Sequence, residues 1–389
     1  MKTVILGLLL FGYIAHCKVI FKETFGTDPF ESNRWVVSNN KKDSDEAGTL
    51  EWSGGIWGAG DRKGIRTTED AKFYSFSTKM SETFDNEGKT LAFGFRVKHE
   101  QKIDCGGGYA KLLGPDIDQS TFNGATPYSI MFGPDICGYS TKKVQAIFNN
   151  FEGKNLLKDS DVTCPDDEYT HDYTFVINSD DTYAIYVDGE SKASGNIKDD
   201  WKFELPKKIK DPDDKKPSDW VDDEMMDDPD DTKPDDWDDE PATIADPDAE
   251  KPDDWDDDED GEWQAPEIEN PKYKGEWKPK RIKNPDYKGP WIQKEIDNPD
   301  YVAKSDVYKR GKIGVIGVEI WQVKSGTVFS DFILADSYDD VKAFFKDTSV
   351  NIDDEKAAKE AYDESQKPEE TSDDEDEPEL DDDEPKTEI

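Results

Sequence analysis

Basic residues are scarce beside acidic ones: across 389 residues, 49 Lys and Arg stand against 92 Asp and Glu, a formal net charge of −43. Such a surface repels phosphate backbones, so nucleic acid is not an expected partner, and its self-repulsion must be relieved by bound cations, salt or extended geometry. Long apolar runs are equally scarce. One spans Val4 to Ile14, behind Lys2 and ahead of Ala15, His16 and Cys17, and reads as a signal peptide over residues 1–17, with a mature chain from near Lys18. No later run approaches the roughly 20 residues that cross a bilayer, so no membrane span is expected and the exported chain belongs in a lumen or outside the cell. Histidine is nearly absent, at His16, His99 and His171, and no Cys-x-x-Cys occurs, which argues against zinc. Asn-x-Ser/Thr acceptors are missing. With Cys17 assigned to the leader, Cys105, Cys137 and Cys164 remain, and in an oxidising compartment three thiols suggest one disulfide and one free cysteine. The pair Cys105–Cys137 is favoured because both lie in Gly-rich turns flanking β-type sequence. Closing that loop is worth about 3 to 4 kcal/mol by the chain-entropy estimate.

What is present divides the chain. From 18 to 205 the pattern is short strands and turns. Leu91, Phe93, Phe95 and Val97 alternate at strand period, and Tyr173, Phe175, Ile177 and Tyr183, Ile185, Val187 flank a polar turn as a hairpin. Strand period returns between 305 and 335, in Lys312–Val323 and Val328–Leu334, and a helix is expected beyond Ser337 to about Gln366. Many half-apolar strands with little helical period call for an all-β sandwich of jelly-roll type, in which the later strands complete the first sheet pair.

Between 206 and 304 the composition changes and repeats appear. Asp-Pro-Asp-rich units end at Trp220, Trp237 and Trp255; a second set places Trp263, Trp277 and Trp291 14 residues apart, in step with Asn-Pro pairs at Pro271, Pro285 and Pro299. Proline removes donors and aliphatics are too few for a core, so this is not a globular domain. Three copies followed by three copies suggest a hairpin arm, out along the first set and back along the second. Residues 367–389 are almost solid Asp and Glu, a tail expected to be disordered without cations.

Lys98-His-Glu-Gln-Lys-Ile-Asp-Cys-Gly-Gly-Gly-Tyr-Ala-Lys and Ile130-Met-Phe-Gly-Pro-Asp-Ile-Cys-Gly resemble the two lectin-domain blocks of the calreticulin and calnexin family. The Lys-Pro-Asp-Asp-Trp and Gly-Glu-Trp…Asn-Pro-x-Tyr units resemble its proline-rich arm. The resemblance covers roughly residues 18 to 340, and the missing membrane span selects the calreticulin branch. It implies a legume-lectin-like sandwich with an inserted arm. It also implies a non-enzymatic chaperone of the endoplasmic reticulum lumen that binds monoglucosylated high-mannose glycans on newly made glycoproteins, as well as unfolded polypeptides. Carried over, the sugar site is Tyr109, Lys111, Tyr128, Asp135 and Glu319, the last where the family usually has Asp. Carboxylates accept from sugar hydroxyls, an ammonium donates to them and a tyrosine offers a ring face and a hydroxyl. The expected affinity is about 1 to 100 μM, roughly −8 to −5.5 kcal/mol.

The same resemblance implies calcium as cofactor, in two ways. Tail and arm supply many weak carboxylate sites, with dissociation constants near about 10⁻⁴ to 10⁻³ M. A structural site in the lectin domain, built largely from backbone carbonyls, falls on Thr24, Asp61 and Lys63, with its carboxylate position at Ser330, beside Asp331. The arm tip, near 250 to 265, implies recruitment of a protein disulfide isomerase; His171 matches a family histidine linked to chaperone action. The end Lys386-Thr-Glu-Ile is similar to a luminal retrieval signal. A monomer is expected. Asp256, Asp258, Asp260, Gly261 and Glu267 fit EF-hand spacing, but the prolines around them oppose the flanking helices. Two other readings remain: an acidic calcium-storage protein without lectin activity, and a glycosidase on the same scaffold, for which no paired-carboxylate motif stands out.

Overall fold

The structure is a computed structural model and describes residues 18–150, 152–237, 240–256 and 261–367. The signal-peptide expectation over 1–17 and the acidic tail from 368 onward lie outside the described residues. The chain divides into two compact units, one holding the chain up to Leu205 and again from Val302, the other Pro206–Tyr301.

In the first unit two antiparallel sheets pack face to face. One runs β14 (Glu190–Asn196), β13 (Thr182–Val187), β12 (Thr170–Ile177), β6 (Leu91–His99), β22 (Thr327–Ala335), β4 (Gly64–Thr67), β3 (Leu50–Ser53), with β1 (Val19–Glu23) also on β22. The other runs β11 (Asn155–Leu157), β10 (Thr141–Asn149), β9 (Ile130–Cys137), β7 (Cys105–Gly107), β21 (Lys312–Gln322), β5 (Lys72–Asp85), β2 (Val36–Val37), with β8 (Ala110–Leu113) between β21 and β9. The strands that follow the 206–301 unit in sequence thus sit in the middle of each sheet. Between the sheets lies an aromatic core: Phe95 stacks on Phe332 at 5.2 Å, and Phe132 on Phe175 at 5.1 Å. Such pairs add about 0.5–1.5 kcal/mol each beyond area burial.

β6 alternates as expected, yet every residue in it is buried. Ala92, Gly94 and Arg96 face α2 (Tyr338–Asp347), and Gly94 leaves the space into which Phe345 fits; a Cβ there would lie 2.9 Å from the Phe345 ring. The helical stretch after Ser337 comes in two pieces, α2 and α3 (Ile352–Ser365). Ser337 and Asn351 cap them by accepting from the amides of Asp339 and Asp353, and the break at 348–351 leaves the carbonyls of Phe345, Thr348 and Ser349 to Arg62 and Arg96. The four-residue α1 (Ile197–Asp200) delivers Trp201 to the core.

The second unit is a ladder of three short pairs: β15 (Lys208–Lys210) with β20 (Glu295–Asp297), β16 (Met225–Asp227) with β19 (Arg281–Lys283), β17 (Thr243–Ala245) with β18 (Glu267–Glu269). The out-and-back pairing of the repeats is therefore literal. Trp220, Trp237 and Trp255 donate their indole N–H to the carbonyls of Gly289, Gly275 and Gly261 at 3.0, 2.8 and 2.8 Å. Those glycines adopt φ of 91°, 78° and 82°, open to glycine at no steric cost. Of the EF-hand spacing, Asp258 and Asp260 lie outside the described residues, and Glu267 opens a paired strand rather than a helix.

Candidate functional site

On the outer face of the second sheet, the β8–β9 and β8–β21 registers set Lys111 opposite both Met131 and Gly317. Residues directly opposite share a face, so positions 131, 133 and 135 of β9 and 317, 319 and 321 of β21 lie with Lys111. Beyond Leu113 the chain turns back over that face because Leu113 and Val315 leave an apolar step on it. Phe122 fills the step, with Ile117 and Tyr128 packed against it. Gly317 makes room, since a Cβ there would lie 2.8 Å from the Phe122 ring. The fold-back brings Tyr128 and Gly124 to Lys111 and Glu319.

The five residues expected to form a sugar site are thereby gathered. Lys111 Nζ pairs with Glu319 Oε2 at 2.9 Å and lies 5.2 Å from the Tyr128 ring centroid. Tyr109 covers Gly107, where a Cβ would come within 2.3 Å of its ring, and Gly107 is opposite Asp135. Asp135 Oδ2 accepts from Gln145 Nε2 at 2.7 Å. The disulfide Cys105–Cys137 joins β7 to β9 two pairs further along, and Cys164 is free and buried, its thiol pushed up to about 12 by burial. Burial first, and the Glu319 charge second, raise the phenols of Tyr109 and Tyr128, so both remain hydroxyl donors at any physiological pH. The face therefore brings together two carboxylates, an ammonium and two phenols, groups that suit a polyhydroxylated ligand.

Two further residues belong here that the sequence reading missed. Met131 is opposite Lys111, and Trp321, 39% exposed, stands on the same face two positions from Glu319, its ring 6.5 Å from that of Phe73. Strand alternation from Glu319 points to Trp321.

The implied structural calcium site meets different chemistry. Lys63 and Ser330 line one small cavity of about 40 Å³ together with Arg62, Lys98 and Glu355. Thr24 lies one residue beyond the Glu23–Phe332 pair and Asp61 on an exposed turn, and neither lines that cavity. Ser330 contributes no charge, and the neighbouring Asp331 carboxylate already receives Arg62 at 2.8 Å and Arg96 at 2.9 Å. Burial raises the Asp331 carboxyl against the pull of Arg96 and Arg62. Guanidiniums and ammoniums outnumber carboxylates, so this donor set does not fit a dication.

His171, on the other sheet, lies between Asp188 at 2.7 Å and Asp167 at 2.8 Å. Burial disfavours its charged ring, but these hydrogen bonds win and hold its pKa up at about 9. Burial pushes His99 the other way, to about 3.

The Calreticulin family model matches residues 21–261 and 259–334. A calreticulin of Onchocerca volvulus is 51% identical over 350 residues, covering 89% of this chain and 88% of the relative; one of Euglena gracilis is 53% identical over 364 residues, covering 93% and 88%. Among solved structures, the globular domain of T. cruzi calreticulin superposes with a TM-score of 0.62 at 29% identity, covering 90% of this chain and all of that one. With this fold, this disulfide and these matches, the chain belongs to the calreticulin family.

Proposed function

We propose that the chain is a lectin chaperone of the endoplasmic reticulum lumen. It binds the terminal glucose of monoglucosylated high-mannose glycans on newly made glycoproteins and assists their folding. The observation that carries this reading is the single face on which Tyr109, Lys111, Tyr128, Asp135 and Glu319 meet, flanked by the exposed ring of Trp321. The Lys111–Glu319 pair holds both charged heads in place before ligand arrives, so hydroxyl recognition costs little reorganisation. The carboxylates of the repeat unit and of residues 367–389 buffer luminal calcium through many weak oxygen ligands, and the arm tip near 250 to 265 recruits a protein disulfide isomerase.

Calorimetric titration of the mature protein with a monoglucosylated mannose oligosaccharide tests the lectin reading. Binding at about 1 to 100 μM is expected, with at least a tenfold loss in Asp135→Ala, roughly 1.4 kcal/mol or more. The charge of −43 favours one other reading, an acidic calcium store with no lectin activity, which predicts no heat of binding by folded protein at any calcium level. Release of free glucose during the titration would instead indicate a glycosidase.

A further inference from the structure

The strand β22 carries one residue too many for its neighbour. Its pairing with β6 steps irregularly between Ser330 and Ile333, and within that step Asp331 takes φ of 50°, a left-handed conformation, with only 1% of its surface exposed. The bulge turns the Asp331 carboxylate toward two guanidiniums from different parts of the chain: Arg62, on the loop before β4, and Arg96, in β6.

Each guanidinium has donors left over, and each spends them on the carbonyls that α2 leaves unpaired at its C-terminal end. Arg96 Nη2 donates to Phe345 O at 2.9 Å and Nη1 to the carbonyl of Thr348 as well as its Oγ1 at 3.0 Å; Arg62 Nη2 donates to Ser349 O at 3.2 Å and to Thr348 O. Two cations, one from the loop before β4 and one from β6, thus gather a buried carboxylate of β22 and three backbone carbonyls at the end of α2. Collecting carboxylate and carbonyl oxygens from separate segments is what a structural calcium ion does in other proteins. Here the rigid fork of arginine does it, favoured further by the negative end of the α2 dipole.

We infer that this arginine bridge on Asp331 takes the place of a structural calcium ion, so that the sandwich of this chain folds and keeps its stability without metal. The surroundings agree: Lys63 and Lys98 share the cavity beside Ser330, and Lys63 Nζ rests over the Trp52 ring at 3.8 Å. A dication at Ser330 would face Arg62 and both ammoniums with Glu355 the one carboxylate lining the cavity among the described residues. Asp331 Oδ1 is buried with no hydrogen-bond partner among the described residues, and an ion there would have to sit against both guanidiniums.

Thermal unfolding of the full mature chain, followed by near-ultraviolet circular dichroism at constant ionic strength, tests the inference independently of glycan binding. Melts are compared in excess EGTA and at about 10 μM free calcium, well below the range in which the acidic repeats and tail load. The expected result is one midpoint within about 1 °C in both conditions, and a midpoint lower by about 2–4 °C in Arg62→Met in both, the shift that about 1 kcal/mol gives a domain of this size. Arg62 is 41% exposed on its side chain, so this variant should fold. A rise of about 5 °C or more for the wild type at micromolar calcium would overturn the inference, since it requires a tight metal site holding the sandwich. An unchanged midpoint in Arg62→Met would overturn it too, by showing that the bridge holds nothing.

Discussion

Trp201 and Trp237 make the same hydrogen bond in opposite surroundings. Trp201 donates to Ala146 O at 3.0 Å from inside a cluster with Phe148, Phe175 and Tyr183, and is 0% exposed; Trp237 donates to Gly275 O at 2.8 Å across a two-stranded ladder and stays half-buried. The first belongs to a core that spans both sheets, where any loss of packing is felt throughout. The second belongs to a ladder of near-identical rungs, each touching mainly its neighbours, so its stability is a sum of local terms. One chain therefore contains a cooperative unit and a nearly one-dimensional one, and the same substitution should behave differently in each.

The largest contrast comes from truncating the two tryptophans. Trp201→Ala opens a cavity in the aromatic core and is expected to cost about 3–5 kcal/mol, read as a lower urea midpoint for the near-ultraviolet signal of the sandwich. Trp237→Ala should leave that midpoint where it is while speeding amide exchange around Gly275 and its rung. A shared midpoint shift in Trp237→Ala would erase the distinction between the units.

Next in size is the disulfide, which is confined to the sandwich. Replacing both Cys105 and Cys137 by Ala should cost about 3 kcal/mol from the loop-closure term. It should also weaken glycan binding, because β7 and β9 carry Gly107 and Asp135 two pairs away. Equal affinity in the calorimeter after this change would place the ligand elsewhere on the sheet.

pH gives a third contrast, since the repeat unit contains no histidine. His171 has its folded pKa raised to about 9, so its contribution is complete below the unfolded value of about 6.5 and is lost as pH climbs through 9. His99, buried neutral and lowered to about 3, works in the other direction: its contribution is present above about 6.5 and is lost as pH falls toward 3. The sandwich should thus be destabilised by alkali between pH 6.5 and 9, by about 2 kcal/mol, and His171→Gln should flatten that slope in melts at stepped pH. Amide exchange in the repeat unit, corrected for its intrinsic pH dependence, should not change over the same window.

Features carried by local pattern were legible before any coordinates. Alternation located β6, β12, β13, β21 and β22, and three acidic repeats followed by three of a second kind suggested the out-and-back course of the ladder, though not which repeat meets which. The residues proposed to hold sugar came from the family resemblance: Tyr109, Lys111 and Asp135 from its two contiguous blocks, Tyr128 and Glu319 from outside them. What escaped depends on groups far apart in sequence. Arg62 and Asp331 are separated by 269 positions and nothing local announces their meeting. The fold-back of 114–129 over Leu113 and Val315 depends on a strand that arrives two hundred residues later. The break between α2 and α3 was also hidden: the run from Tyr338 to Ser365 reads as one helix until Arg62 and Arg96 are seen taking the carbonyls at 345–349.

The last contrast separates the two units by a single methyl group. Gly94 and Gly275 can both be changed to Ala, the least intrusive side chain available, but each would be resisted for a different reason. At Gly94 the backbone tolerates Ala and the space does not: the new Cβ meets the Phe345 ring at 2.9 Å and Thr174 Oγ1 at 3.1 Å, so α2 must shift and the sandwich midpoint should fall by the equivalent of about 1–3 kcal/mol. At Gly275 the space is open, with nothing within 4 Å, but φ of 78° disfavours any residue with a Cβ. That strain is worth about 1 kcal/mol and stays where it arises. Amide exchange should quicken at Tyr273–Trp277 and at Trp237 across the rung, fade by the rungs of Trp220 and Trp255, and leave the sandwich midpoint unchanged. If exchange instead quickened equally along all three rungs, the ladder would be folding as one cooperative body, and its tryptophans would be acting as a shared core despite their exposure.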